Sequence, residues 1–375
     1  MQKRFLNLDG FRFLAAWIVL VCHLEIFKPY FGIKPLGWRF FSNSAQLAVT
    51  FFFVLSGFLI TWLLLKEKNK NSFNKINIPQ FYKRRILRTW PLYYLLILLT
   101  FFVFRNLAFF SLSEEYQFAA DTASFKNRLI GYSLFMPNYT EFKFGSELYL
   151  GQVWSLGVEE FFYLVFPLAL YHVKIKNVRN FLLVLITIFL LLSIGANTIA
   201  KNFSNDSSLH SLISIYTDKY RIYSFLLGGL AAWLVMKKMN SGLANYKLLS
   251  DKRLANLMVL ILLVLVAGGV TFSIITQQLY SIFFALLLFG VITSEIKFSL
   301  LNTAVMIYLG KISYGIYMLH PVAIITTLKL INTNAINPVG ILDNILLYTG
   351  VTVITIILAA ISYELYEKYF LKLRK

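Results

Sequence analysis

Ten long apolar stretches, recurring from one end of the chain to the other, decide what this sequence can fold into. They cover 11–29, 45–65, 91–110, 152–171, 181–200, 221–236, 255–276, 278–294, 303–328 and 343–364. A bilayer's hydrocarbon core of about 30 Å is crossed by about 20 helical residues, and a helix satisfies its own backbone in lipid. Most of the stretches have that length, while 221–236 and 278–294 are short. Composition agrees: 58% of the 375 residues are hydrophobic, mean hydropathy is +0.67, and the charged share is 14%. A soluble domain would carry about a quarter charged residues. The expectation is an all-α integral membrane protein of about ten transmembrane helices, organised as one multi-pass domain over 1–375. The first run is long, includes Arg12 and has no small-residue cleavage site, so it reads as a retained span rather than a signal peptide.

The net charge of +19 is explained by topology. With the N-terminus inside and ten spans, the inner side collects 25 of the 36 Lys and Arg with 6 of the 17 acids. The outer side receives 11 bases and 11 acids, so the whole excess lies inside. That is the positive-inside pattern, and it places both termini in the cytoplasm. Basic residues are spread over several short loops, which argues against a nucleic-acid partner. The longest non-spanning piece, 111–151, faces outward in this threading and carries Glu114, Glu115, Asp121, Glu141 and Glu147. Segment 66–80 (KEKNKNSFNKINIPQ) is polar and reads as a flexible linker. There is no internal repeat of the kind inverted-topology transporters carry. Cys22 is the single cysteine, excluding an intrachain disulfide, and a lone cysteine in an apolar helix is a small core residue.

Chemistry concentrates in a few places. His23 lies in the first apolar run, eleven residues after Arg12, which puts the two on one helical face about 16 Å apart. Ionisable groups are costly in a membrane and mark functional interiors. Arg84, Arg85 and Arg88 precede the third span. Any one of them suits an interfacial anchor, but three within five positions, sharing faces at i,i+3 and i,i+4, suit the oxygens of a phosphate-bearing ligand. Glu159 and Glu160 open the fourth span, and one of them is accounted for as a partner of the helix dipole. The other, with Trp154, Ser155 and Tyr163, makes a candidate outward-facing polar and aromatic surface for a carbohydrate acceptor. A glutamate from this span is also the expected orienter of His23, since Glu25, two residues away, points to another face. Ser56-Gly57 in mid-span points to close helix packing. His320, beside Pro321, either satisfies backbone groups freed by the proline or contacts the acceptor. The histidines His23, His172, His210 and His320 have no metal-ligand spacing, so no metal is expected.

Taken in order, Leu8-Asp-Gly-Phe-Arg with His23, then FFFVLSGFLIT, FYKRRILR, WSLGVEEFFYLVFP, ISYGIYMLHP and SYELYEKYF resemble the acyltransferase-3 family. The resemblance runs from Leu8 to Phe370 and implies a bacterial inner-membrane O-acetyltransferase acting on surface glycans. It matches Arg12 and His23 to the first-span active-site pair, Arg84, Arg85 and Arg88 to the cytoplasmic arginine motif, and Glu159 and Glu160 to the acidic pair. Two positions depart from the pattern: Phe161 stands where glutamine is usual, and Tyr369 where proline follows the terminal Glu-Lys. The hydrolase-like domain fused to some relatives is not part of this sequence. The implied reaction moves an acyl group, acetyl being the family's common donor group, from acetyl-CoA to a glycan or glycolipid hydroxyl. His23 would serve as general base, and a transient acyl-histidine stays open. Two rivals remain at this stage. One is a proton-coupled transporter or glycan flippase using His23, Glu159, Glu160 and His320; the other is a non-enzymatic assembly subunit. Neither the acceptor's identity nor the oligomeric state is legible.

Overall fold

The apolar runs fold as helices, interrupted where glycines and polar residues break them. Gly32 and Gly37 take φ of 71° and 72° in the loop after the first helix, a region open to glycine without strain. The computed structural model describes residues 5–70, 76–110, 122–202, 219–241, 251–294, 296–333 and 340–374. Among them there is no strand. In chain order the helices are α1 (Leu8–Phe27), α2 (Arg39–Lys70), α3 (Ile78–Phe102), α4 (Thr122–Ser133), α5 (Pro137–Phe144), α6 (Trp154–His172) and α7 (Val178–Asn202). They continue with α8 (Ile222–Ser241), α9 (Lys252–Ala267), α10 (Thr276–Thr293), α11 (Ala304–Lys311), α12 (Ser313–Thr333) and α13 (Ile341–Ser362). A π-helical stretch, Tyr363–Glu367, and the short α14 (Lys368–Lys372) follow.

Among the described residues, nine helices are long and apolar enough to cross a membrane. The remaining predicted stretch, 255–276, is helical only as the 16 residues of α9. Gly268 and Gly269 end it, the latter at φ 56°. Stretch 303–328 begins as the separate α11, whose Thr303 hydroxyl caps the Met306 N–H, before α12 takes over. Glu114, Glu115, Asp121 and the middle of the 66–80 linker lie outside the described residues.

The helices sort into two compact units. The first comprises Met1–Leu8, Gln46–Phe81 and Val158–Asn302. Here the mid-span packing expected at Gly57 is present: a Cβ at Gly57 would lie 1.9 Å from the Phe225 carbonyl oxygen, and one at Gly228 1.9 Å from that of Val54. Reciprocal glycines thus let α2 and α8 touch backbone to backbone. Lys68 is buried, and its ammonium donates to the carbonyls of Leu170 (2.7 Å), Tyr171 (3.2 Å) and Val173 at the end of α6. A cation there satisfies carbonyls the helix leaves open and opposes its dipole.

The second unit comprises Asp9–Ala45, Tyr82–Gly157 and Thr303–Lys375. Glu25 and Lys28, both buried, form an ion pair at the end of α1. Tyr348 Oη donates to Glu25 at 2.6 Å, and Lys28 donates to Asn344 Oδ1 at 2.8 Å, which fastens α1 to α13. Pro91, inside α3, has no N–H to give its helix. Tyr314 Oη donates to the nearby Thr89 carbonyl (2.7 Å) and Tyr366 Oη to that of Pro91 (3.3 Å). Glu147, ahead of α6, is held between Arg128 (3.1 Å) and Arg105 (3.6 Å).

Candidate active site

The helix α1 is unbroken from Leu8 to Phe27, so Arg12 and His23 keep the spacing inferred from sequence. Arg12 faces Asp9 one turn earlier, at 3.9 Å. At the other end of the helix His23 is half-buried, and its ring partner is another imidazole. His23 Nδ1 lies 2.7 Å from His320 Nε2. The two rings are parallel within 1°, with centroids 4.9 Å apart.

His320 is fully buried, and its other nitrogen, Nδ1, lies 2.7 Å from the carbonyl oxygen of Tyr317. The sequence explains that bond. Residue 321 is proline and has no N–H for the carbonyl four positions back, which is that of Tyr317. His320 therefore does satisfy a freed backbone group, and it holds His23 as well. Tyr317 in turn ties into the start of α6: its hydroxyl donates to the Gln152 carbonyl (2.9 Å) and meets Ser155 Oγ at 2.6 Å. Gln152 Nε2 donates to the carbonyls of Met318 (2.8 Å) and Tyr149 (3.1 Å).

This lattice corrects one sequence expectation. Trp154, Ser155 and Tyr163 are all buried, so they form no open outward-facing platform. Ser155 is drawn inward by Tyr317. Tyr163 Oη donates to Glu159, which also accepts from Ser56 Oγ. Glu159 and Glu160 are each half-buried and belong to the first unit, whereas His23 and His320 belong to the second. The hydrogen-bond partner that the structure gives His23 Nδ1 is His320.

At the start of α3, Arg84 is exposed while Arg85 and Arg88 are half-buried. The end of the chain joins them. Glu367, buried in the π-helical stretch, accepts from Ser362 Oγ at 3.0 Å and lies in the field of Arg88 and Arg374. Arg374 has its pKa pushed down to about 10, first by burial and then by the like charges of Arg88 and Arg85. Arg88 and Arg374 thus act on the Glu367 carboxylate, and Arg85 and Arg88 on Arg374. Sequence reasoning did not reach Tyr317, Gln152, Glu367 or Arg374, although Tyr317 and Glu367 sit inside quoted motifs. Among the described residues no three His, Cys, Asp or Glu side chains are grouped to hold a metal.

Residues 5–364 match the sequence profile of the acyltransferase domain that defines the acyltransferase-3 family, and the chain belongs to that family. A protein of Bacillus subtilis (strain 168) named "Putative peptidoglycan O-acetyltransferase YrhL" is 28% identical over 382 residues, covering 96% of this chain and 54% of its own length. A protein of Staphylococcus aureus (strain COL) named "Putative O-acetyltransferase SACOL0978" is 26% identical, covering 98% of this chain and 57% of its own length. An uncharacterized protein of Haemophilus influenzae is 31% identical over 187 residues, covering 48% of this chain and 72% of its own length. The chain thus spans a little over half the length of the Bacillus and Staphylococcus relatives. No solved structure matches it.

Proposed function

We propose that this protein is a multi-span membrane O-acetyltransferase that moves an acetyl group from acetyl-CoA to a hydroxyl of a cell-surface glycan. The observation that carries the reading is His23, a half-buried imidazole hydrogen-bonded to His320 on the same helix as Arg12, in a chain of the acyltransferase-3 family. The names of the Bacillus and Staphylococcus relatives favour acetyl as the group, and that of the Bacillus relative favours peptidoglycan or a similar glycan as the acceptor.

In this reaction His23 accepts the proton of the acceptor hydroxyl as its oxygen attacks the thioester carbonyl. The C–S bond breaks, and the proton goes to the departing CoA thiolate, giving the O-acetyl ester and free CoA thiol. Arg84, Arg85 and Arg88, with Arg374, supply guanidiniums for the pyrophosphate and ribose phosphate of CoA, whose fork geometry suits such oxygens. The narrow thioester arm then runs from the Arg12 end of α1 towards His23. Glu159 and Glu160 are assigned to the acceptor side of the reaction.

The test is release of CoA thiol from acetyl-CoA by purified protein in lipid vesicles, wild type beside His23→Ala. We expect turnover in the wild type and a loss of at least about 10²-fold in the variant, the usual worth of a general base. Equal turnover in both removes His23 from the chemistry. If the wild type neither binds nor turns over acetyl-CoA, the donor assignment fails and a proton-coupled carrier takes its place.

A further inference from the structure

We propose that His320 is a positioning residue that fixes the tautomer of His23, leaving the Nε2 nitrogen of His23 as the bare, proton-accepting atom. The inference rests on the reading of His23 as general base and adds which atom acts and what holds it so.

One backbone group fixes the hydrogens of both rings. The Tyr317 carbonyl can only accept, so His320 Nδ1, 2.7 Å away, carries a hydrogen and donates. In a neutral imidazole the other nitrogen is then an acceptor, which makes His320 Nε2 a lone pair. His23 Nδ1 lies 2.7 Å from that lone pair and must therefore donate its own hydrogen. A neutral His23 that is protonated at Nδ1 is unprotonated at Nε2. The chain of causes ends at Pro321, whose missing N–H leaves the Tyr317 carbonyl in need of a donor.

The arrangement also excludes the opposite polarity. For His23 Nε2 to hold the hydrogen in a neutral ring, Nδ1 would have to accept, and His320 would then need hydrogens on both nitrogens. That is a full positive charge on a side chain with no water contact, which an apolar interior disfavours. Burial separates the two roles as well. His320 has both nitrogens engaged and no exposed surface, whereas His23 is half-buried and has one ring nitrogen engaged with His320. When His23 Nε2 takes up the hydroxyl proton, its Nδ1–H stays donated to His320. The ring is thereby held in one orientation through the step, the task a carboxylate performs in a Ser-His-Asp triad.

The experiment uses the full-length protein in lipid vesicles and combines turnover with spectroscopy. His320→Ala should lower kcat for acetyl transfer about 10²-fold, the scale of groups that orient a functional histidine, and leave KM for acetyl-CoA within about twofold. His320→Gln, whose Oε1 can accept from His23 Nδ1, should recover about tenfold of that loss. In protein carrying His172→Gln and His210→Gln, ¹⁵N spectra report the two remaining rings alone. Both should be neutral with the hydrogen on Nδ1, and His23 should become a mixture of tautomers in the His320→Ala background. The proposal is overturned by any of three results: His320→Ala within twofold of wild type, glutamine no better than alanine, or a wild-type His23 with its hydrogen on Nε2. Should His320→Ala not fold, His320→Gln and the wild-type spectrum still decide. Loss in His23→Ala with wild-type turnover in both His320 variants defeats this inference alone. Full turnover in His23→Ala defeats the functional reading beneath it.

Discussion

Lys28 has no exposed surface and Glu25 almost none, so each charge is tolerable only because of the other. Removing one partner of a buried pair costs about 3–5 kcal/mol, because it strands a desolvated charge. Glu25→Gln keeps an acceptor for Tyr348 Oη and still leaves the Lys28 ammonium unbalanced. Its thermal midpoint, followed by tryptophan fluorescence in detergent, should fall well below that of wild type. Adding Lys28→Met to Glu25→Gln should recover most of the loss, and a double variant as unstable as the single one would refute the pairing argument. The same scale explains what was legible in the site. Each ionisable residue in an apolar run announces itself, as Arg12 and His23 do, and the arginines at the start of α3 stand out by their close spacing. Their partners do not, because the hydrogen bond from His23 to His320 spans 297 positions and no local periodicity encodes it. The His-Pro dipeptide held the clue, since a proline in a helix always leaves one carbonyl to be satisfied. Trp154 and Ser155 misled for a related reason: polar and aromatic residues at a helix start look alike whether they face solvent or a buried tyrosine.

At the scale of elements, packing depends on a few close approaches. Gly57→Ala would place a methyl 1.9 Å from the Phe225 carbonyl oxygen, and α2 and α8 would have to separate. The expected loss is about 3 kcal/mol, the upper range for overpacking. Gly195→Ala is the control, for that glycine lies in α7 with nothing within 4 Å of a Cβ, and alanine there should be neutral or gain up to about 1 kcal/mol. Equal melting of the two variants would sink the crossing argument. Ahead of α6, Glu147 titrates in a way that can be read in bulk. Its pKa is raised above the ordinary 4.5, first by burial, with Arg128 and Arg105 pulling the other way. The folded protein therefore binds this proton more tightly than the unfolded chain does. Its contribution is greatest below pH 4.5 and is lost as pH rises through the raised value. Glu147→Gln cannot titrate, so its thermal midpoint should fall less than that of wild type as pH rises above 4.5. Parallel pH profiles would show that the group is not linked to folding. Sequence predicted these helices well because twenty apolar residues in a row leave the backbone little choice. It overran at 255–276, because hydropathy continues past Gly268 and Gly269 while the helix stops there.

For the molecule as a whole, that short helix decides the topology. If every other long helix crosses once, nine crossings would put the two ends of the chain on opposite sides of the membrane, and a tenth through α9 would put them on the same side. Contacts within each unit favour ten. In the first unit, Asn7 Nδ2 donates to the Ile296 carbonyl at 2.7 Å, and the Asn7 backbone N–H to Asn302 Oδ1 at 3.0 Å. The segment before α1 thus shares a face with the segment after α10, which requires α9 to cross. In the second unit, Arg374 lies in the field of Arg85 and Arg88, so the end of the chain shares a face with the start of α3. Eight crossings, α9 included, separate those two points; seven would part them. Sixteen residues span only about 24 Å, so α9 should cross where the bilayer thins or the flanking glycine segment dips inward. With the basic side inside, a Cys22→Ala background carrying single new cysteines gives the test. Phe142→Cys and Ile341→Cys should react with a membrane-impermeant maleimide in intact cells, and Leu300→Cys should react only after the membrane is opened. Reaction of Leu300→Cys with protection of Ile341→Cys would mean nine crossings. The arginines of α3 and Arg374 would then lie on opposite sides, and the phosphate-binding role proposed for them together would fall with the topology.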